Sequence, residues 1–405
     1  MDIAPILATL RRHKTAALLI ALQVAVACAI LCNAVYMVSQ RSARMLQPTG
    51  IEQDRLVMIN SIGLDTEGSR KDRIATDLAA LRAVPGVERA INVGQFPFAD
   101  NSWATGLTLD ENQSKPTVTP SMVTAGEGYL ETAGLKVLRG RWFAADEFQD
   151  ADVFRGDAPI VVPSVVVSDA LARRLFPDGD ALGKTIHGVG QGGSRIVGIV
   201  ADMLAPGGQP GHANSDYEVL FVPIRSDMTW FVLRTTPEQR DRVLAAGVEA
   251  LNRVSGNRII QRQRTLEEMR GNYYSRDRAV VWLLVLVSVA MLAITAFGIG
   301  GLASFWVQQR TRQIGVRRAL GATRGDILRY FQTENFLIVT GGVVLGMLLA
   351  FGINQWLMHK YELARLPLYY LPIGALALWL LGQVAVLWPA LRAASIPPAT
   401  ATRSV

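Results

Sequence analysis

The stretch Ala279–Gln309, AVVWLLVLVSVAMLAITAFGIGGLASFWVQQ, runs without a single Asp, Glu, Lys or Arg. A bilayer core asks for about 20 apolar residues at roughly 1.5 Å of rise each, so this stretch reads as a membrane span. Three further stretches share its character: Thr15–Gln40, Asn335–His359 and Leu366–Leu391. They predict four transmembrane helices over 15–38, 279–306, 334–358 and 371–391, with bilayer interiors free of charged side chains. Ion-coupled transport usually requires such intramembrane charges. Between the first and second spans lie residues 39–278, long enough for two compact lobes. The expected fold class is therefore an α-helical membrane protein with four transmembrane helices and an α+β extracytoplasmic (periplasmic) domain inserted between helices 1 and 2.

The charge distribution supports that division. The chain has 405 residues, half of them apolar and 19% charged, and a mean hydropathy of +0.23. Its net charge of +7 would suggest nucleic acid, but residues 39–278 carry 28 Lys and Arg against 30 Asp and Glu, a net of −2. The remainder carries 13 basic and 4 acidic residues, a net of +9. The basic excess thus flanks the spans, where it marks orientation and gives no support to nucleic-acid binding. Arg11, Arg12 and Lys14 precede the first span, and Arg310, Arg312, Arg317, Arg318, Arg324 and Arg329 lie between the second and third. By the positive-inside rule, residues 1–14, 307–333 and 392–405 are cytoplasmic, and 39–278 and the short loop 359–370 lie outside. The apolar run of the first span is too long for a signal-peptide core, and the lipoprotein-like Ala25-Val26-Ala27-Cys28 is read as part of an uncleaved anchor. Two Cys exclude a disulfide scaffold or a Cys-rich metal site. The four His lie too far apart in sequence for a compact metal motif.

In the inserted region, Leu56–Asn60, Ser164–Val167, Ile196–Val200 and Phe231–Arg234 read as strands. Arg70–Val84, Asp169–Leu175 and Pro237–Arg253 read as helices, and Ala205–Gly211 as a loop. Asp178–Thr185 ends in Gly-Lys-Thr, as a P-loop does, but has Asp178 where that loop needs Gly, so it reads as a turn into a strand. Thr265–Arg278 and Gln40–Leu46 are polar and helical in pattern, and are expected to continue the second and first spans as stalk helices.

Between the second and third spans runs Gln309-Arg310-Thr311-Arg312-Gln313-Ile314-Gly315-Val316-Arg317-Arg318-Ala319-Leu320-Gly321-Ala322. Its small residues allow close approach by another protein, and Thr323 is placed to cap a helix beginning near Arg324. Gly342 and Gly346 stand in GxxxG spacing in the third span, which permits close helix packing within one subunit or across a dimer seam.

The Arg-rich run resembles the cytoplasmic motif of the MacB-like/FtsX-like ABC transporter permease family. Trp388-Pro389-Ala390 with Arg392-Ala393-Ala394 resembles that family's C-terminal end. In the inserted domain, Pro85-Gly86-Val87, Gly140-Arg141 with Phe143, Leu171-Ala172, Leu182–Ile186 and Ile196–Val200 resemble the MacB-type periplasmic core in order. Gln313 departs from the Glu usual in the family, which leaves open a paralogous permease bearing that Glu as the partner copy. The resemblance implies that Arg312, Gln313, Gly315, Arg317, Arg318, Ala319, Gly321 and Ala322 form the coupling element for a separate ABC ATPase subunit. It further implies a dimer with a second permease copy or a paralogue, and a periplasmic adaptor with an outer-membrane channel. The chain itself is expected to be no enzyme and to bind no cofactor, the ATP being used by the partner. The implied function is to relay ATP-driven motion to the periplasmic domain for efflux of a drug, peptide or lipid-like substrate. Lol-type lipoprotein extraction and FtsX-like regulation of a cell-wall hydrolase stay open beside it. The implied location is the bacterial inner membrane, with both termini cytoplasmic.

Overall fold

The computed structural model describes residues 14–64, 69–99, 101–154, 159–207, 216–361 and 367–395. Arg11, Arg12, Glu362, Arg365, Arg403, residues 396–398 and the second half of the Ala205–Gly211 loop lie outside these. The chain divides into a helical unit, built from its two ends, and an inserted domain, Gln47–Ser275.

The helical unit contains the four spans as helices Lys14–Met45, Ser275–Gln309, Arg324–Tyr361 and Tyr370–Ala394. All four are long and apolar enough to cross a membrane. The first three have 32, 35 and 38 residues, or about 48–57 Å at 1.5 Å per residue, well beyond a hydrocarbon core of about 30 Å. Lipid-like surroundings offer no hydrophobic drive between helices, so small residues and polar contacts must hold them together. The third span meets the first through its glycines. A Cβ at Gly342 would lie 2.7 Å from the Ala21 carbonyl oxygen, and one at Gly346 would lie 2.5 Å from Cys28 Cβ and 2.6 Å from the Ala25 carbonyl oxygen. Val24, Cys28, Val339, Val343 and Ala350 are buried in the same cluster. The fourth span joins the third through Asn335 Nδ2, which donates to the Gly382 carbonyl at 2.9 Å, and Trp379 Nε1, which donates to Thr340 Oγ1 at 3.1 Å.

The second span is different. It is buried at Thr295, Ile299, Ala303, Trp306 and Val307, while Trp282 and Phe297 are 73% and 80% exposed. Polar contacts tie it to the first span: Arg41 pairs with Asp277, and Gln23 Nε2 donates to the Ile294 carbonyl at 3.0 Å. The third-span helix starts well before its charge-free run, Asn335–His359. Glu334 lies inside its helix and is buried, in an ion pair with Arg310. Burial of a carboxylate is possible there because a guanidinium accompanies it.

The inserted domain has two main sheets. Four antiparallel strands run in the order Arg258–Thr265, Leu56–Gly63, Trp230–Arg234, Arg89–Val93. Alternate residues Val57, Ile59, Phe231 and Leu233 share a core with Leu81, Val243 and Leu251 of the helices Arg70–Arg82 and Arg240–Val254, one face of the sheet, while Leu56, Met58 and Val232 on the other face are buried as well. Ser69 caps the first of these helices, accepting from the Asp72 amide at 3.1 Å. Beneath this layer Arg258 grips Asp77 at 2.8 and 3.1 Å. The second sheet is mixed and contains Ser121–Thr124, Val219–Val222, Ser164–Ser168 and Ser194–Val200 as central neighbours, with Val165, Val167, Ile196, Ile199, Leu220 and Leu171 in its core. Thr185–Ile186 pairs antiparallel with Ser194–Arg195; a P-loop would open a helix at that point.

Thr265–Arg278 is not one continuous helix. A capping box at Thr265 and Glu268 starts the helix Leu266–Tyr273, which ends at non-helical Tyr274 before the second span begins at Ser275. Arg270 of this helix donates to the Gln47 carbonyl at 2.8 Å and to Gln53 Oε1 at 3.1 Å, so the last helix of the domain is tied to its first residues.

Candidate functional site

The Arg-rich segment folds as a helix, a tight corner and a second helix. The first helix, Thr311–Ala319, the candidate coupling helix, places Arg317 and Arg318 in its last turn, where cations complement the negative end of the helix dipole. Gly321 follows with φ +100°, a conformation that favours glycine. The Ala322 amide donates to the Arg317 carbonyl at 3.0 Å and the Gly321 amide to the Arg318 carbonyl at 3.1 Å, the paired bonds that close a helix at a C-terminal glycine. Thr323 then caps the third-span helix. Its Oγ1 accepts from the Asp326 amide at 3.2 Å, and Asp326 Oδ2 accepts from the Thr323 amide at 3.0 Å, a reciprocal capping box. The sequence Leu320-Gly321-Ala322-Thr323 is thus a corner made of one helix stop and one helix start.

The eight coupling candidates all lie on this helix and corner. Arg312, Gln313, Arg317, Ala319 and Gly321 are exposed, Arg318 and Ala322 half-buried, and Gly315 buried together with Ile314. Arg317 also lies over the Tyr330 ring, 4.8 Å from its centroid. Gly342 and Gly346 belong to a separate place, the seam between the first and third spans.

Reading the residue types one by one overlooked two features. Val316 and Leu320, one helical turn apart, are 47% and 83% exposed, so the exposed face of the helix Thr311–Ala319 and its C-cap carries two apolar side chains beside the exposed Arg312 and Arg317. That composition suits protein docking: a desolvated apolar centre within a polar rim. The i, i+4 spacing was legible in the sequence. The second overlooked feature is the pair Arg310–Glu334, in which Arg310 Nη1 donates to Glu334 Oε2 at 2.9 Å and Oε1 at 3.1 Å. Its only sequence signal was a lone carboxylate at the edge of a charge-free run. The described residues contain no cluster of His, Cys, Asp and Glu able to hold a metal ion.

Comparison with known proteins matches residues 15–251 to the family described as MacB-like periplasmic core domain, and residues 285–398 to that described as FtsX-like permease C-terminal. The macrolide export ATP-binding/permease protein MacB of Chromobacterium violaceum is 28% identical over 295 residues, covering 69% of this chain and 43% of that protein. MacB 1 of Aeromonas hydrophila is 27% identical over 367 residues, covering 86% and 54%. The chain spans about half the length of the curated relatives it matches. Among solved structures, the periplasmic region of MacB from Actinobacillus actinomycetemcomitans aligns at a TM-score of 0.35 and 16% identity, over 56% of this chain and 97% of that one.

Proposed function

This chain belongs to the MacB-like, FtsX-like permease family, and from that premise we propose that it relays the motion of an ABC ATPase to its inserted domain. Family membership and four apolar helices make it a multi-pass inner-membrane permease, a membrane subunit rather than an enzyme. The ATP is bound and hydrolysed by the motor, and this chain holds no cofactor. Both termini and the coupling helix face the cytoplasm, and the inserted domain faces the periplasm, as the basic flanks require. Two such permeases, identical or paralogous, sit on a pair of ATPases. Closure of the motor on ATP pushes the coupling helices, and the inserted domains do work on a drug, peptide or lipid-like substrate, handing it to an adaptor and an outer-membrane channel.

The observation that carries this reading is the outward face of the coupling helix, where Val316 and Leu320 stand exposed beside Arg312, Gln313 and Arg317. Two large apolar side chains in an Arg-rich segment gain nothing from water, and both would be buried by a docked partner. The test is co-purification from detergent extracts of cells producing the chain. Wild type should bring down an ABC ATPase subunit, and Leu320→Asp should lose it while the permease still accumulates in the membrane. Equal recovery with Leu320→Asp would overturn the docking assignment. Co-purification of a lipoprotein carrier or a cell-wall hydrolase in place of an adaptor would move the reading from efflux to extraction or to regulation.

A further inference from the structure

We propose that Arg310 and Glu334 are positioning residues that make the coupling helix and the third span move as one body, so that motion reaches the first span through the third. The inference rests on the relay just proposed and specifies its route.

Arg310 is the single residue between the end of the second span at Gln309 and the start of the coupling helix at Thr311, with φ −104° and ψ 13°. A break of this kind would ordinarily be the compliant point of the segment. Here its side chain is 9% exposed, that of Glu334 2%, and Nη1 is shared between both carboxylate oxygens at 2.9 and 3.1 Å. Nη2 is buried with no hydrogen-bond partner among the described residues, so no second carboxylate is there to take over if the pair parts. Buried apolar residues stand one turn away on either helix: Trp306, Val307 and Ile314 near Arg310, Phe331 and Ile338 near Glu334. In such surroundings the two charges compensate each other's desolvation only while they touch. Apolar side chains can slide past one another at small cost, whereas a buried ion pair is either made or broken and therefore fixes register. Arg317 over Tyr330 supplies a second attachment of the coupling helix to the third-span helix.

From there the path is continuous. Gly342 and Gly346 hold the third span directly against the backbone of the first at Ala21 and Ala25, and the helix of the first span runs on to Met45, just before the inserted domain. The second span has no comparable seam. Its outer half is largely exposed; its inner half is buried at Ile299, Ala303, Trp306 and Val307 in the shared cluster, and among the described residues polar contacts join it to the first span at Gln23 and Arg41. A displaced coupling helix thus drags the third span, and the third span drags the first.

The experiment uses the full chain in nanodiscs, alone and with its ATPase, in four forms: wild type, Glu334→Gln, Arg310→Lys, and the double swap Arg310→Glu with Glu334→Arg. Without the motor, trypsin cleavage at Arg317 and Arg318 reads the release of the coupling helix. Glu334→Gln should be cut about tenfold faster there, with cleavage of the inserted domain unchanged, and the swap should recover most of that protection. With the motor, Glu334→Gln should retain ATPase attachment and lose the ATP-dependent change in trypsin cleavage of the inserted domain, and Arg310→Lys, which keeps the charge, should fall between. Unchanged cleavage at Arg317 and Arg318 together with an unchanged ATP response in Glu334→Gln would overturn the proposal, as would a swap no better than the single variant. A wild-type chain that captures no ATPase would instead sink the relay, and the motor-free cleavage would still judge the joint.

Discussion

Substituting alanine at two glycines of one helix, Gly341 and Gly346, should move stability in opposite directions. Alanine is favoured over glycine inside a helix by about 1 kcal/mol. At Gly341 a Cβ meets nothing within 4 Å, so Gly341→Ala should keep that gain. At Gly346 the same atom would stand 2.5 Å from Cys28 Cβ, 2.6 Å from the Ala25 carbonyl oxygen and 3.0 Å from Ala25 Cα. Ordinary contact begins near 3.5 Å, so the third span would have to retreat by about an ångström. Neither a carbonyl nor a Cβ on a helix can swing aside. Overpacking of this kind costs about 1–3 kcal/mol, and the retreat also loosens Val24, Val339 and Val343, which are fully buried. The two variants should therefore differ by roughly 1–3 kcal/mol, or several degrees in midpoint for a chain of this size. The assay is thermal unfolding of the full chain in one detergent at one scan rate, followed by tryptophan fluorescence. Gly341→Ala should unfold at or above the wild-type temperature and Gly346→Ala clearly below it. If the two shift alike, the seam between the first and third spans is wrong.

Thr323→Ala removes the acceptor for the Asp326 amide and should cost about 1 kcal/mol, seen as faster amide exchange in the first turn of the third-span helix. Asp77→Asn leaves the Arg258 guanidinium, gripped at 2.8 and 3.1 Å, buried without a countercharge. That should destabilise the inserted domain by about 3–5 kcal/mol in chemical denaturation, while Lys71→Ala, which breaks a solvent-exposed pair with Asp150, should leave the denaturation midpoint nearly where it was. The Arg141 guanidinium, bonded to Glu147 at 2.6 and 2.8 Å, holds that carboxyl down at about 2, with help from the Ala144 amide. A carboxyl depressed on folding stabilises above its unfolded value of about 4.3 and loses that contribution as the pH falls toward the folded value. Thermal midpoints should drop between those limits in wild type and drop less steeply in Glu147→Gln.

What the sequence made legible follows from which forces are local. Runs such as Ala279–Gln309 carry their own signal, because every residue must tolerate lipid. The strands Leu56–Gly63 and Ser164–Ser168 were visible from Val and Ile, whereas Arg258–Thr265, RIIQRQRT, joins its sheet by pairing with Leu56–Gly63 and hides behind its polar side chains. The stop of Arg70–Arg82 before Pro85-Gly86 was readable to within two residues. The interruption at Tyr274 was not, since Gly271, three residues before it, stands inside the helix and no proline follows; the Tyr274 ring packs against Phe98 and Tyr273. At the candidate site the Thr323 cap was visible as a local pattern. The Arg310–Glu334 pair was hidden because its partners are 24 residues apart and nothing in either neighbourhood names the other.

The clasp of Arg270 on Gln47 and Gln53 has an evolutionary corollary. A fold that closes on itself where the chain enters and leaves is a cassette: it asks of its host only that two neighbouring strands of polypeptide be cut and rejoined. Any other module with equally adjacent ends can be grafted at the same point, and the helices that carry it need not be rewritten.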